Sequence, residues 1–182
     1  EQWFKIIDDC ADAGCLTLLM TGGEPLVRPD FADIYRRAKW KGMLVSIFTN
    51  GTRITDPLLD LFRELPPRSV EVTLYGASEP TFESVTRVKG SYRQCLRGIE
   101  RMLERGVHVK IKTVLMTLNQ GELGRMRDLA TSYGVPFRFD AGIFPRLNGD
   151  KEPVALRVDP KLAVDQEFAN ERRAPLWVDN LD

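Results

Sequence analysis

The residues with the clearest chemical potential are two adjacent glycines and a glutamate, in the segment Gly22-Gly23-Glu24-Pro25. Glycine has no Cβ, so a ligand can touch the main chain at Gly22 and Gly23. Glu24 adds a carboxylate that can accept hydrogen bonds from an ammonium group, whereas it would repel a phosphate. The segment therefore predicts a binding site for an amino-acid-like ligand.

Polar or glycine-rich segments follow three other predicted strands as well. These segments are residues 49–52, 73–78 and 117–120. In parallel βα folds, ligands bind beyond the carboxyl ends of the strands. We therefore expect residues 22–24, residues 49–51, Thr73 and Thr113 to lie along one rim of the sheet.

The elements that would position these segments alternate between helical and strand patterns. Apolar residues recur at helical spacing from Trp3 to Ala11. Strand-like runs follow at residues 16–20, 44–48, 69–75, 109–115 and 137–140, separated by segments of helical period. This is the pattern of βα units around a parallel sheet. It predicts an α/β fold, a partial (β/α) barrel with parallel strands. Because a helix comes first, we expect the first strand of the barrel, and residues before Glu1, to be missing.

The pattern changes after residue 145, so we assign residues 1–145 to the barrel. Residues 146–182 are polar and weakly periodic, and several prolines interrupt them, among them Pro175. Asp159-Pro160 can begin one further helix, and Trp177 is expected to serve packing. We predict that residues 146–182 are a linker toward a further region.

Composition and charge exclude several classes of partner. Lys and Arg number 26, as do Asp and Glu, with no long run of either sign. No summed field would attract nucleic acid or an anionic bilayer. No apolar stretch approaches the roughly 20 residues that span a membrane, and no signal segment opens the chain. These features predict a cytoplasmic protein. A single histidine, His108, argues against catalysis by a Ser-His-Asp triad.

The order of the motifs resembles the radical S-adenosylmethionine superfamily from Glu1 to about Arg146. A strand ends in Gly-Gly-Glu-Pro, Pro-Asp-Phe opens a helix at residues 29–31, and the next strand ends in Thr-Asn-Gly-Thr at residues 49–52. The resemblance implies that the amino group of the cofactor's methionine moiety is received by the first motif. It implies cofactor-binding roles for Gly22, Gly23, Glu24, Pro25 and Asn50.

Three further cofactor-binding residues follow from the same resemblance. The strand Val72-Thr73-Leu74-Tyr75-Gly76 is similar to the family's ribose-contacting strand, which gives Thr73 that role. Arg87, before Gly90-Ser91-Tyr92, is a candidate for the cofactor carboxylate, and Thr113 on the fourth strand is another contact candidate. The alternatives remain that Asn50-Gly51 only forms a turn and that Thr73 only fills a strand position.

The amino-acid sequence of residues 90–99 most resembles that of superfamily members with a C-terminal cysteine-rich, SPASM-type extension. The resemblance implies two cofactors, S-adenosylmethionine and a four-iron, four-sulfur cluster. Reductive cleavage then gives a 5′-deoxyadenosyl radical that abstracts hydrogen. It also implies a peptide or small-molecule substrate and an external electron donor.

The cluster-binding motif Cys-x3-Cys-x2-Cys is absent from the 182 residues. The three cysteines, Cys10, Cys15 and Cys95, have the wrong spacing, so we predict neither metal ligands nor catalytic residues here. We expect a fragment of a radical enzyme that is inactive by itself. Two alternatives from other classes are a phosphate-binding (β/α) barrel enzyme, against which Glu24 argues, and a cluster-free peptide-binding scaffold.

Overall fold

The computed structural model describes residues 2–169, and its centre is one five-stranded sheet. The strands are β1 (Thr17–Met20), β2 (Leu44–Thr49), β3 (Ser69–Thr73), β4 (Val109–Val114) and β5 (Phe137–Asp140). They lie in chain order, and each neighbouring pair is parallel. The predicted α/β class with a parallel sheet is confirmed.

Helices connect the strands. They are α1 (Gln2–Asp12), α2 (Phe31–Trp40), α3 (Asp56–Glu64), α4 (Glu79–Thr86), α5 (Ser91–Glu104), α6 (Leu123–Ser132) and α7 (Pro160–Phe168), with short 3-10 helices at Pro25–Val27, Gln120–Glu122 and Glu152–Leu156. Crossovers between parallel neighbours are right-handed. When the strand order follows the chain order, the connecting helices therefore collect on one face, termed here the helix face.

Alternation along the strands separates an apolar face from a polar one. Val45, Ile47, Val70, Val72 and Ile111 are fully buried on the helix face and form the centre of the core. The intervening residues lie on the opposite face, termed here the open face. Its charged and polar members are Ser46, Glu71, Thr73, Lys110, Lys112, Arg138 and Asp140, with Phe48 among them.

Local capping explains where two of the helices near the carboxyl ends of the strands begin. The Thr55 hydroxyl accepts a hydrogen bond from the Leu58 amide at the start of α3. Ser78 caps α4 by accepting from the Thr81 amide, and its hydroxyl donates to the Glu122 carboxylate at 2.6 Å. The loop after β3 is thereby fixed to the segment before α6.

Two details differ from the sequence prediction. Helix α4 is a separate helix before α5 that the sequence pattern does not mark, because its β-branched residues and single buried residue, Phe82, give little amphipathic pattern. Strand β3 ends at Thr73, not at Tyr75. The further helix expected at Asp159-Pro160 is present as α7, with the Asp159 carboxylate accepting from the Lys161 amide.

The described part of the segment after residue 145 packs back against the barrel. The Thr117 amide donates to the Leu156 carbonyl at 3.0 Å, and Val158 is buried. Pro175 and Trp177 lie outside the described residues. Within residues 2–169, every helix is too short or too polar to cross a bilayer.

Candidate functional site at the carboxyl rim

The Glu24 carboxylate joins the ends of β1 and β2. Its Oε1 accepts hydrogen bonds from the Thr49 hydroxyl at 2.7 Å and the Leu26 amide at 3.0 Å, and its Oε2 accepts from the Asn50 amide at 2.6 Å. Bonds to a charged carboxylate are among the stronger ones in proteins. They fix a partly exposed negative charge at the rim, beside Gly22 and Gly23.

The main chain at Gly22 and Gly23 is open. Gly22 has φ of +136°, a conformation that residues with a Cβ rarely adopt, so glycine is required there. A Cβ built at either glycine would meet nothing within 4 Å. A ligand of the rim can therefore reach this backbone directly, next to the Glu24 carboxylate.

Helix α5 holds the turn after β2 in place. Gly51 has φ of +73°, and an added Cβ there would lie 2.9 Å from Val72. A Cβ at Gly98 would lie 1.9 Å from the Gly51 carbonyl oxygen, so the missing side chain lets α5 pack directly on the turn. The Asn50 side-chain oxygen accepts from the amide and the hydroxyl of Thr52, which leaves Asn50 in a turn-forming role.

Thr73 and Arg87 are the predicted site residues whose side chains are uncommitted. Thr73, at the end of β3, is partly exposed on the open face, and its hydroxyl bonds to no residue within 2–169. Arg87 ends α4 in a left-handed conformation with φ of +57°, and its amide donates to the Glu83 carbonyl. Its exposed guanidinium forms no ion pair with a described residue. Both polar groups can accept a ligand without breaking a contact.

The structure does not bring the Thr113 side chain to the open face. Thr113 has the same parity as Ile111, so it points into the helix face, where it is buried. Its hydroxyl lies 3.4 Å from the side-chain Nδ2 of Asn119, which also donates to the carbonyls of Tyr75 and Val114. Thr113 therefore contacts the loops at the rim from the helix face and supports them there.

An apolar cavity of about 450 Å³ opens beyond β3, β4 and β5 at the same rim. Tyr75, Val85, Met116, Ile143 and Phe144 are among its lining residues. Burial, reinforced by the negative charge of Glu24, raises the pKa of the Tyr75 hydroxyl, so this phenol stays neutral. The cavity can accept a flat, largely apolar group.

A cluster of charged residues on the open face was not identified from the sequence. The Lys112 ammonium lies 3.1 Å from the centroid of the Phe48 ring, and Arg138 donates from Nε and Nη2 to one oxygen of Glu71, at 3.0 and 2.7 Å. Burial, helped by the nearby Arg138 charge, lowers the pKa of Lys112 to about 8. Strand parity could have placed these residues on one face, but not in contact.

The cysteines do not form a metal site. Cys10 is partly exposed, Cys15 is exposed and Cys95 is buried, with burial raising the pKa of its thiol to about 12. Within the part of the chain that the structure describes, no three His, Cys, Asp or Glu residues come together as metal ligands.

The family model of the radical SAM superfamily matches residues 1–130. The chain belongs to this superfamily. A similar curated protein is the AdoMet-dependent heme synthase of Methanosarcina barkeri (strain Fusaro / DSM 804), which is 29% identical over 80% of this chain and 42% of its own length. The PqqA peptide cyclase of Ruegeria pomeroyi is 25% identical over 74% of this chain and 36% of its own length.

A similar fold occurs in the crystal structure of Streptococcus suis SuiB. The TM-score is 0.76 at 15% identity, covering 94% of this chain and 40% of SuiB. This match confirms the predicted partial barrel of the radical SAM type. The chain spans about two fifths of the length of the curated relatives it matches. Similarity over this part of a relative does not establish the activity of a whole protein.

Radical SAM proteins use S-adenosylmethionine and a four-iron, four-sulfur cluster. The rim fits the methionine end of the first, because the open backbone of Gly22 and Gly23 stands beside a fixed carboxylate. The residues described do not fit the second, because Cys10, Cys15 and Cys95 are too dispersed to hold iron together.

Proposed function

We propose that this chain forms the S-adenosylmethionine-binding part of a radical SAM enzyme. The observation that carries the proposal is the Glu24 carboxylate, held by three hydrogen bonds beside the open main chain of Gly22 and Gly23. This arrangement suits the ammonium group of methionine, which needs acceptors and a negative charge. Family membership supports the identity of the ligand.

Each predicted residue has a distinct part in this proposal. Gly22 and Gly23 offer carbonyl groups to the methionine ammonium, and Glu24 supplies the charge. Pro25 begins the 3-10 helix whose Leu26 amide binds Glu24, and the Asn50 amide holds the same carboxylate from the other side. These contacts orient the methionine end of the cofactor through backbone groups and a carboxylate that is already held in place.

The remainder of the cofactor extends along the rim. The free Thr73 hydroxyl is suited to a ribose hydroxyl, and the unpaired Arg87 guanidinium is suited to the methionine carboxylate. The apolar cavity beside Tyr75 and Met116 is suited to the adenine ring. Thr113 positions the Asn119 loop without touching the cofactor.

The bound cofactor would supply a 5′-deoxyadenosyl radical for hydrogen abstraction, given an electron from an external donor. We infer that the substrate is a peptide or small molecule. The PqqA peptide cyclase relative, and SuiB, of which one structure is bound to the precursor peptide SuiA, support a peptide. The heme synthase relative supports the alternative, a small-molecule substrate. Residues 146–182 would lead to a SPASM-type extension. These 182 residues would be inactive alone, since they offer no thiolate set for the cluster.

Binding of S-adenosylmethionine to the 182-residue chain tests the proposal. We expect weak, millimolar affinity, since a few hydrogen bonds of about 0.5 to 1.5 kcal/mol each must offset the lost freedom of the ligand. In an NMR titration, the amides of Gly22, Gly23 and Thr73 should shift. Glu24→Ala should abolish these shifts, and His108→Ala, in a residue remote from the rim, should retain them. Micromolar binding without iron, or shifts confined to other residues, would contradict this account of the site.

A further inference from the structure

The open face carries a cation that has no carboxylate of its own. The Lys112 ammonium packs against the Phe48 ring and forms no ion pair or hydrogen bond with any residue between 2 and 169. Its side chain crosses over β3 to reach β2, which is two strands away from β4. A lysine without a functional partner would gain solvation by extending into water. Its position over the sheet therefore calls for an explanation.

The neighbouring cation is already fixed. Arg138 is the cross-strand partner of Lys112, and its guanidinium lies 5.7 Å from the same Phe48 ring. Glu71, whose side chain is only 12% exposed, engages two nitrogens of Arg138 through a single oxygen. The carboxylate thus orients Arg138 and leaves Lys112 unneutralised.

Two further acidic residues lie near this pair of cations: Asp140, and Glu167 on α7, which lines a pocket with Arg138 and Asp140. Asp140 accepts a hydrogen bond from the Gly142 amide at 2.7 Å, and its side chain lies outside ion-pair distance of Lys112. Of the two adjacent cations, only Arg138 forms an ion pair within residues 2–169, so the cations repel each other, and a negatively charged group between them would relieve that repulsion.

We propose that Lys112 and Arg138 form an oxyanion-binding position on the open face, which receives a carboxylate or phosphate group of the substrate. The inference rests on the proposed function: the cofactor contact Thr73 lies on the open face, and we take the substrate to bind over the same face. Phe48 holds the ammonium in place before the anion arrives, which lowers the entropic cost of binding. The methionine carboxylate has its own candidate, Arg87, which ends α4.

The test is an NMR titration of the full 182-residue chain with acetate and with inorganic phosphate, each compared with chloride at equal ionic strength. The Phe48 ring and the Lys112 side chain should shift with either oxyanion. Tighter acetate binding would assign a carboxylate substrate, and tighter phosphate binding a phosphorylated one. Absence of both shifts would overturn the proposal.

Variants decide whether Lys112 is responsible. Lys112→Met keeps the length of the side chain and its contact with Phe48, and it should weaken oxyanion binding at least fivefold. Lys112→Arg should restore it. Lys110→Met, on the same strand and face, should change it less than twofold. Equal losses from both methionine variants would reduce the effect to general charge and overturn the proposal.

A competition experiment separates this proposal from the proposed function. Saturating S-adenosylmethionine should leave the acetate shifts at Lys112 in place. Displacement of acetate by S-adenosylmethionine would assign Lys112 to the cofactor carboxylate and overturn the substrate assignment. If S-adenosylmethionine instead fails to bind while acetate still does, the proposed function fails and the oxyanion position stands.

Discussion

At the scale of single residues, the rim separates side chains that would touch a ligand from those that hold them. Thr49 is buried, and its hydroxyl both donates to Glu24 and accepts from the Gly51 amide at 3.1 Å. Thr73 is partly exposed and has no described hydrogen bond. Two threonines at the ends of neighbouring strands therefore have opposite kinds of role.

Replacing each threonine by valine should separate these roles. Thr49→Val leaves the Gly51 amide without its acceptor, so it should lower the free energy of unfolding by about 1 to 3 kcal/mol. It should also weaken cofactor binding indirectly, through Glu24. Thr73→Val should weaken binding and leave stability unchanged. Thermal unfolding and the cofactor titration measure both effects, and equal destabilisation by the two variants would refute the distinction.

The charge of Lys112 should make oxyanion binding depend on pH. The folded-state pKa is about 8, below the usual 10.5, so the charged form is lost as pH rises through about 8. Groups facing it are Arg138 and Asp140 on β5, Glu71 on β3 and Lys110 on β4. Affinity for acetate should fall about tenfold between about pH 7 and pH 9, because the charged fraction falls by that factor. In Lys112→Arg the affinity for acetate should not change over this pH range. If the wild-type affinity does not change either, another cation binds the anion.

At the scale of elements, the contact between α5 and the turn after β2 depends on Gly98. The Gly98→Ala methyl group would collide with the Gly51 carbonyl oxygen, and backbone cannot move aside as a flexible side chain can. We expect a loss of about 1 to 3 kcal/mol in stability from this overpacking. Gly124→Ala in α6 is the matched control, since nothing lies within 4 Å of its added Cβ. It should be neutral or stabilising in thermal unfolding. Similar melting of the two variants would contradict the packing argument.

Much of this arrangement could be predicted from the sequence because its determinants are local. Runs such as Val70 to Thr73 alternate apolar and polar residues and so specify strands with one buried face, and the chain order of parallel units brings their carboxyl ends to one rim. The parity of Thr113 with Ile111 was also readable, and it argues against the contact role given to Thr113. The contact of Lys112 with Phe48 was not readable, because it joins two strands across a third and depends on side-chain length and sheet twist.

At the scale of the whole molecule, the outer edge of β1 is an unpaired sheet edge with apolar surroundings. No strand within residues 2–169 pairs with that edge, which leaves backbone groups of Thr17–Met20 unpaired. Apolar side chains surround it. They include Trp3, Ile6, Leu16, Leu19 and Leu44, all substantially exposed. An unpaired edge with apolar neighbours promotes association between chains.

We therefore expect the 182-residue chain to self-associate through β1, and Leu19→Lys should reduce that association severalfold. A charge in the middle of an edge strand disfavours pairing, because it would be desolvated in the contact. Val88→Lys likewise replaces an exposed apolar residue with lysine, in the α4–α5 connection, where no sheet edge lies. Sedimentation velocity at matched concentrations compares the three proteins. If Val88→Lys dissociates the chains as well as Leu19→Lys does, net charge rather than the edge controls association. A monomeric wild-type chain would contradict the prediction.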